Sequence, residues 1–282
     1  MGRIRLLPGL DREVRACVAG GYPPATLPLS MSTPATEAEK RDRNIHRRTE
    51  KRKESSGSSS SSQKNPGEKS RDLTSKEVEM KRKFSRVYQF KVTLKRIKPP
   101  IWRRILVPET YTFWDLHVAI QDAMGWLDYH LHEFTILNPS TGRKDEIGIP
   151  GDEPFLPWDK KLYASWHRKI ADYFSLENSR ADYVYDFGDD WQHTIKLEKI
   201  LPRDRDVWYP ICIGGRREGP PEDCGGVWGY QELLEIIMNP THEEYESTLD
   251  WIGDEFDPEH FDPAEVHFDD PQERWNIAFE EQ

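Results

Sequence analysis

Cysteine is scarce in this chain, and basic residues all but vanish from its C-terminal end. Three cysteines in 282 residues (Cys17, Cys212 and Cys224) are too few, and odd in number, for a disulfide-stapled secreted scaffold. No stretch approaches the ~18 uncharged apolar residues of a spanning helix, which excludes a helical membrane protein. Tryptophan is absent before Trp102, although the chain holds ten, so these large core formers are not spread over the whole chain. Residues 218–282 hold one basic residue, Arg274, against 20 acidic ones. A surface of that sign repels phosphate, so the folded part is a poor nucleic-acid binder. Arg3 and Arg5 precede an apolar stretch, but Asp11, Arg12, Glu13 and Arg15 interrupt it before a signal peptide's apolar region can form. A cytoplasmic location without membrane contact is expected.

What is present falls into three blocks. Residues 1–84 carry 19 Lys/Arg against 11 Asp/Glu, residues 85–217 carry 20 against 19, and the remainder is the acidic block; the net charge is −10. Arg41 to Lys53 holds seven basic residues against two acidic ones, and Ser55 to Ser62 is nearly pure serine. Neither segment has enough apolar area to offset the entropy of ordering it, so a disordered basic tail is expected over residues 1–84. Met80 lies just ahead of the first strand pattern, and the functional chain is expected to start near it.

From Tyr88 the pattern changes. Tyr88, Phe90, Val92 and Leu94 alternate with polar residues, the period of a half-buried strand. Pro99-Pro100 ends it, and Ile101 to Val107 reads as an antiparallel partner with Arg103 and Arg104 on opposite faces. Thr112 can cap a helix carrying Leu116, Ala119, Ile120, Ala123 and Met124, with Gly125 placed to end it. Leu131 to Leu137 reads as a third strand, which puts His130 and His132 on one face. Residues 138–180 read as a long loop with one or two short strands. Tyr183 to Leu197 then reads as a hairpin turning at Gly188-Asp189-Asp190, with Trp191, His193, Ile195 and Leu197 facing inward. Helices are expected from about Gly229 to Met238, from a Thr241 cap through Trp251, and after Asp262-Pro263 and Asp270-Pro271. The expected fold is therefore one α+β domain over residues 85–282, with a mostly antiparallel sheet and helices concentrated in the C-terminal half.

Two segments carry more chemistry than packing requires. Tyr185 to His193 gathers three carboxylates, a histidine and aromatics at one hairpin tip. Its Asp-Phe-Gly triplet lacks the other parts of a protein-kinase site. Cys212 to Gly226 surrounds Arg216-Arg217 and Glu222-Asp223 with glycine and proline, as in loops where backbone approaches a ligand closely. It also lacks the Gly-Lys-Ser/Thr of a phosphate loop. For each segment the plain alternative is structural: turn acids, a core histidine, and a packed loop held by Arg–carboxylate pairs. Zinc on His193, Cys212 and Cys224 is the metal alternative, with His130 or His132, and Asp189 or Asp223, able to join. The 11 residues between the two cysteines exceed the usual spacing of a structural site. A cysteine nucleophile with His193 as its base is a further alternative.

These residues resemble the plasmid pRiA ORF-three-like family, some of whose members carry a transposon-passenger or resolvase (TnpR) label. The resemblance rests on Tyr88-Gln89-Phe90-Lys91-Val92, Pro99-Pro100-Ile101-Trp102-Arg103-Arg104, Met124-Gly125-Trp126 and His130-Leu131-His132-Glu133-Phe134. It continues through Tyr185 to His193, Cys212 to Gly226, Gly229-Tyr230, Trp251 and Phe256-Asp257-Pro258. It spans about residues 87 to 275 and implies a compact α+β domain, without supplying a catalytic residue. A resolvase is not expected, because the strand Tyr88 to Leu94 has no nucleophilic serine and the C-terminal block is acidic. The expected function is a non-enzymatic binding or accessory module associated with plasmids or mobile elements. It would take a basic protein partner or a small ligand in a cleft between the 185–193 hairpin and the 212–226 loop. That cleft comprises Tyr185, Asp186, Asp189, Asp190, Trp191, His193, Arg216, Arg217, Glu222 and Asp223. The alternatives are a metal- or cysteine-dependent hydrolase in the same cleft, and DNA association through the basic tail.

Overall fold

The computed structural model describes residues 84–151, 161–253 and 256–279. The basic tail and the start near Met80 lie outside the described residues, Phe84 apart, as does part of the expected 138–180 loop. Eight strands are described: β1 (Arg86–Leu94), β2 (Trp102–Pro108), β3 (His132–Leu137), β4 (Lys144–Gly148), β5 (Leu162–Ala164), β6 (Arg180–Tyr185), β7 (Trp191–Pro202) and β8 (Ile211–Arg216). They form one sheet in the order β5-β4-β3-β6-β7-β1-β2-β8, antiparallel except for the β4–β5 pair. The α+β expectation is met, with three of the four α-helices among the described residues lying in the C-terminal half.

Alternation built this sheet as the sequence implied. Tyr88, Phe90, Val92 and Leu94 of β1 are buried, as are Trp191, His193, Ile195 and Leu197 of β7. The register sets Leu94 opposite His193 and Phe90 opposite Leu197. The other face of these strands is polar: Arg104 Nε lies 2.7 Å from Glu198 Oε2, Gln89 Nε2 donates to the same oxygen, and Lys91 lies over the Trp102 ring. A sheet with one packed and one polar face is the ordinary antiparallel arrangement.

Helix α1 (Phe113–Met124) covers the packed face. The Thr112 hydroxyl accepts from the Asp115 amide, the Asp115 carboxylate accepts from the Thr112 amide, and Gly125 ends the helix at φ +83°. Phe113, Leu116 and Ile120 are fully buried within one cluster with Phe90, Phe134 and Tyr183. Each such side chain contributes about 1.5–3 kcal/mol through burial. Helices α2 (Gly226–Ile237), α3 (Tyr245–Ile252) and α4 (Pro271–Phe279) follow. α4 is held to α1 by Trp275 against Trp114, with ring centroids 5.5 Å apart, and by Arg274 on Asp122 at 2.8 Å.

Four local expectations are corrected. Residues 211–216 are strand β8, paired with β2, where a loop was expected from Cys212 onward. Their glycines suit close packing: a Cβ on Gly215 would lie 2.2 Å from the Phe261 ring. Helix α2 begins at Gly226, ahead of Gly229. Thr241 caps no helix; its hydroxyl donates to Asn239, and α3 starts at Tyr245. His130 precedes β3 and does not share a strand face with His132.

Arg103, opposite Gly215 in register, ties these parts together. It is buried, and burial pulls its pKa down to about 10, so it remains charged at neutral pH. Its Nε donates to Ala123 O (2.6 Å) at the C-terminal end of α1, where carbonyls favour a cation, and its Nη1 donates to Trp102 O and Arg216 O. The guanidinium also lies 3.8 Å from the Phe261 ring centroid. This fixes the end of β8, and hence the start of the next loop, against the end of α1.

Candidate functional site

Three connections meet at one end of the sheet: residues 125–131 after α1, the β6–β7 turn at 186–190, and residues 217–225 between β8 and α2. Trp126 stacks on Tyr185, centroids 5.0 Å apart, and its Nε1 donates to Pro220 O (2.8 Å). The Tyr185 hydroxyl donates to Glu222 Oε1 (2.9 Å), which also accepts from the Leu127 amide (2.8 Å). The Asp186 amide donates to Leu131 O (3.0 Å), and the Gly225 amide donates to Asp189 Oδ2 (3.1 Å). Gly226 sits at φ +67°, and a Cβ there would lie 2.3 Å from Asp189 O. The hairpin turn and the Gly/Pro loop therefore interlock through the Asp189 carboxylate on the Gly225 amide, the Tyr185 hydroxyl on Glu222, and the close approach of Gly226 to the Asp189 carbonyl.

At that junction the acids converge on a histidine. His130 Nε2 lies 2.9 Å from Asp223 Oδ1 and 3.7 Å from Asp186 Oδ2. One ligand atom from each of these three residues falls within 4.8 Å of the other two. Asp186 holds its place in the left-handed region at φ +55°, with Oδ1 accepting from the Gly188 and Asp189 amides, while Oδ2 turns toward His130. Asp223 (φ +57°) and Asp128 (φ +61°) adopt the same uncommon conformation. Burial raises the pKa of Glu222 and of Asp189; the Leu127 amide and Tyr185 oppose this at Glu222, and the Gly226 and Gly225 amides do so at Asp189. Neighbouring Asp223 adds to the rise at both. The arrangement can hold a cation, and its donor set of one imidazole and two carboxylates suits a metal ion.

Behind this surface runs a buried chain of polar groups. Gln121 Nε2 donates to the Tyr183 hydroxyl (2.9 Å), which lies 2.8 Å from His117 Nδ1, and His117 Nε2 lies 2.6 Å from Asp128 Oδ1. One proton arrangement satisfies all three contacts: Tyr183 donates to Nδ1, and Nε2–H donates to Asp128. His132 stacks face to face on His117 with centroids 3.6 Å apart; burial first, and His117 beside it second, hold its pKa well below the ordinary histidine value.

Of the residues singled out from sequence, Tyr185, Asp186, Asp189, Glu222 and Asp223 come together here. The others do not join them. Asp190 turns to Arg96, at 2.7 Å, and to Gln192. Trp191 and His193 are wholly buried in the core. Arg216 is exposed at the end of β8. Arg217 is buried, with Nη1 donating to Pro99 O (3.0 Å); its Nε lies 2.7 Å from Glu259 Oε1, a charge contact that is not aligned as a hydrogen bond. The proposed zinc set of His193, Cys212 and Cys224 is not formed. Cys212 lies on β8 beside Ile105, whereas His193 lies on β7 opposite Leu94; β7 and β8 stand three strand spacings apart, about 14 Å. Both cysteines are free thiols, and burial pushes both pKa values up, so the thiolate a nucleophile needs is disfavoured. His117, Asp128 and the place of His130 were not legible beforehand. The visible signal was Asp128-Tyr129-His130, an acid and a histidine in a turn directly after a helix-ending glycine.

The profile of the plasmid pRiA4b ORF-3-like protein family matches residues 86–265. The chain is 38% identical over 167 residues to a protein of Sinorhizobium fredii titled uncharacterized protein y4hQ, covering 59% of this chain and 81% of that one. It is also similar to the crystal structure of MM3350 from Methanosarcina mazei Go1, titled a protein of unknown function. That match has a TM-score of 0.61 and 56% sequence identity, covering 66% of this chain and 99% of the other.

Proposed function

This chain belongs to the plasmid pRiA4b ORF-3-like protein family, and from that premise and the site geometry we propose that it is a non-catalytic accessory module that captures a basic segment of a protein partner. The plasmid in the family description supports an association with mobile elements. No helix among the described residues is long and apolar enough to cross a membrane.

One observation carries the reading: carboxylates of Asp186, Asp189, Glu222 and Asp223 are drawn together from two interlocked loops around His130. Nearby arginines are engaged elsewhere, Arg96 by Asp190, Arg217 by Glu259 and Arg274 by Asp122. The hairpin turn, the 125–131 connection and the first turn of α2 expose Leu127, Tyr129, Phe187 and Trp228, the last at 80%. Aromatic and aliphatic groups beside carboxylates suit the apolar stems and charged heads of Lys and Arg. The rest of the acidic C-terminal block extends the attraction beyond the contact itself and should speed association at low salt.

Fluorescence anisotropy with a labelled oligolysine peptide tests this, with oligoglutamate as the control. The native chain should bind oligolysine in a salt-sensitive way and ignore oligoglutamate. The double variant E222Q/D223N should weaken binding ~2–10-fold, as expected for one half-exposed charge contact and a second, largely buried charge behind it. Equal affinity of the native and double-variant chains for oligolysine would remove this reading.

A further inference from the structure

We propose that His130, Asp186 and Asp223 form a binding site for one divalent transition-metal ion, with coordination positions left open toward solvent. The inference goes beyond the partner reading and does not require it.

The spacing is the first support. A tetrahedral ion with bonds of about 2.0–2.2 Å to nitrogen and oxygen sets its ligands ~3.3 Å apart. The His130–Asp223 separation of 2.9 Å and the His130–Asp186 separation of 3.7 Å lie on either side of that edge, and the third pair is within 4.8 Å. Shifts of ~1.5 Å or less would bring the three atoms onto one ion. Asp186 is already oriented to serve, because its Oδ1 is fixed by two backbone amides and its Oδ2 points toward His130.

The second support comes from a residue outside the triad. Glu222 Oε1 is occupied by the Tyr185 hydroxyl and the Leu127 amide, but Oε2 is buried with no donor among the described residues. A buried carboxylate oxygen left without a partner is costly, by about 1–3 kcal/mol or more for a charged group. Glu222 lies within electrostatic reach of both His130 and Asp223, so a cation on the triad would compensate that charge, directly or through a bound water.

The chemistry of the donors gives the class of ion. One imidazole nitrogen favours a first-row transition ion over Mg²⁺ or Ca²⁺, and two carboxylates bring its charge to neutral. Binding requires the Nε2 lone pair of His130, so the ring proton now directed at Asp223 must pass to Nδ1 or be released. The exposures match an accessible ion: the Asp186 side chain is 5% exposed, His130 17% and Asp223 49%. The inner carboxylate would anchor the ion and the outer one would face the solvent, where a ligand could complete the coordination sphere.

The test uses the full chain after chelator treatment and dialysis. Calorimetric titration with Zn²⁺, and with Co²⁺ followed by its visible absorption, should show one ion per chain. D223N and H130A should each weaken it at least 10-fold, whereas D190N, an acid of the same turn engaged by Arg96, should bind as the native chain does. Because Asp223 is half exposed, D223N keeps the fold even if H130A does not. The cobalt spectrum should lack thiolate charge-transfer absorption. Its presence would assign the ion to a cysteine and overturn the site, as would unchanged Zn²⁺ affinity in D223N. Loss of oligolysine binding with retained Zn²⁺ binding would sink the partner reading alone; the reverse would sink only this one.

Discussion

Replacing His193 with leucine should flatten the dependence of stability on pH. His193 sits on β7, wholly buried, with Tyr183 and Trp126 at centroid distances of 5.3 and 5.4 Å. Among the described residues, neither ring nitrogen has a partner with hydrogen-bond geometry. Burial drives its pKa down from 6.5 to about 3; the Trp191 and Tyr183 backbone groups beside it offset part of the effect, and the charge of Lys95 adds to it. The unfolded chain therefore takes up a proton below pH 6.5 that the folded chain refuses until near pH 3. Stability from this residue is complete above pH 6.5 and is lost as pH falls toward 3, at about 1.4 kcal/mol per unit. At pH 4.5 the loss is about 3 kcal/mol. His132, shifted in the same direction, adds a second proton to the native slope. Urea unfolding followed by tryptophan fluorescence at pH 7.5, 6.0, 5.0 and 4.5 reads the difference directly, because carboxylate titrations common to both chains cancel. At pH 7.5 H193L should be as stable as the native chain or more so, since two unpartnered nitrogens are gone. By pH 4.5 its advantage should have grown by about 3 kcal/mol. A gap that stays constant across this range would refute the assignment of His193 as a buried neutral ring.

Tyr183→Phe removes the hydroxyl that serves both Gln121 and His117, leaving two buried polar groups without a partner. The loss should be about 2–4 kcal/mol by urea unfolding at pH 7.5, and a change under 1 kcal/mol would show the chain to be unimportant. Gly226→Ala places a methyl 2.3 Å from Asp189 O at a backbone φ of +67°. It should lower stability by about 1–3 kcal/mol and weaken oligolysine binding, because the hairpin turn must move away from the loop; unimpaired binding would mean that the interlock does not shape the surface.

The elements that were legible share one property: their residues repeat on the period of the element they form. β1, β2, β6, β7 and α1 each bury the set that the spacing selects, and Thr112 caps α1 through the predicted hydroxyl. β8 was hidden because Gly214 and Gly215 have no side chains to alternate. Its support comes from elsewhere in the chain, from pairing with β2 and from Phe261 filling the space above Gly215. Thr241 failed as a cap for a local reason: its amide and hydroxyl both donate to the Asn239 side chain in a turn, and the helix starts four residues later, at Tyr245.

The site was half legible for a related reason. That the hairpin turn and the Gly/Pro loop share one surface could be inferred from their composition, since both combine turn formers with acids. Which side chains reach that surface depended on local backbone that no periodicity reports. Asp189 and Asp190 are neighbours of the same type, yet one accepts from the Gly225 amide and the other pairs with Arg96. Arg217 was placed in the cleft by its position in the loop, but a φ of +65° turns the chain so that its guanidinium meets Pro99 and Glu259. His130 was expected to share a strand face with His132, but β3 begins only at His132, and His130 lies in the preceding turn beside Asp186 and Asp223. Asp128, Asp186 and Asp223 occupy the left-handed region, a conformation that costs a non-glycine residue about 1 kcal/mol or more. Packing alone would be met as well by glycine or asparagine at these turns. Carboxylates kept there, beside a histidine and over a rigid buried chain of Gln121, Tyr183, His117 and Asp128, are better explained by what they hold than by the turns they make.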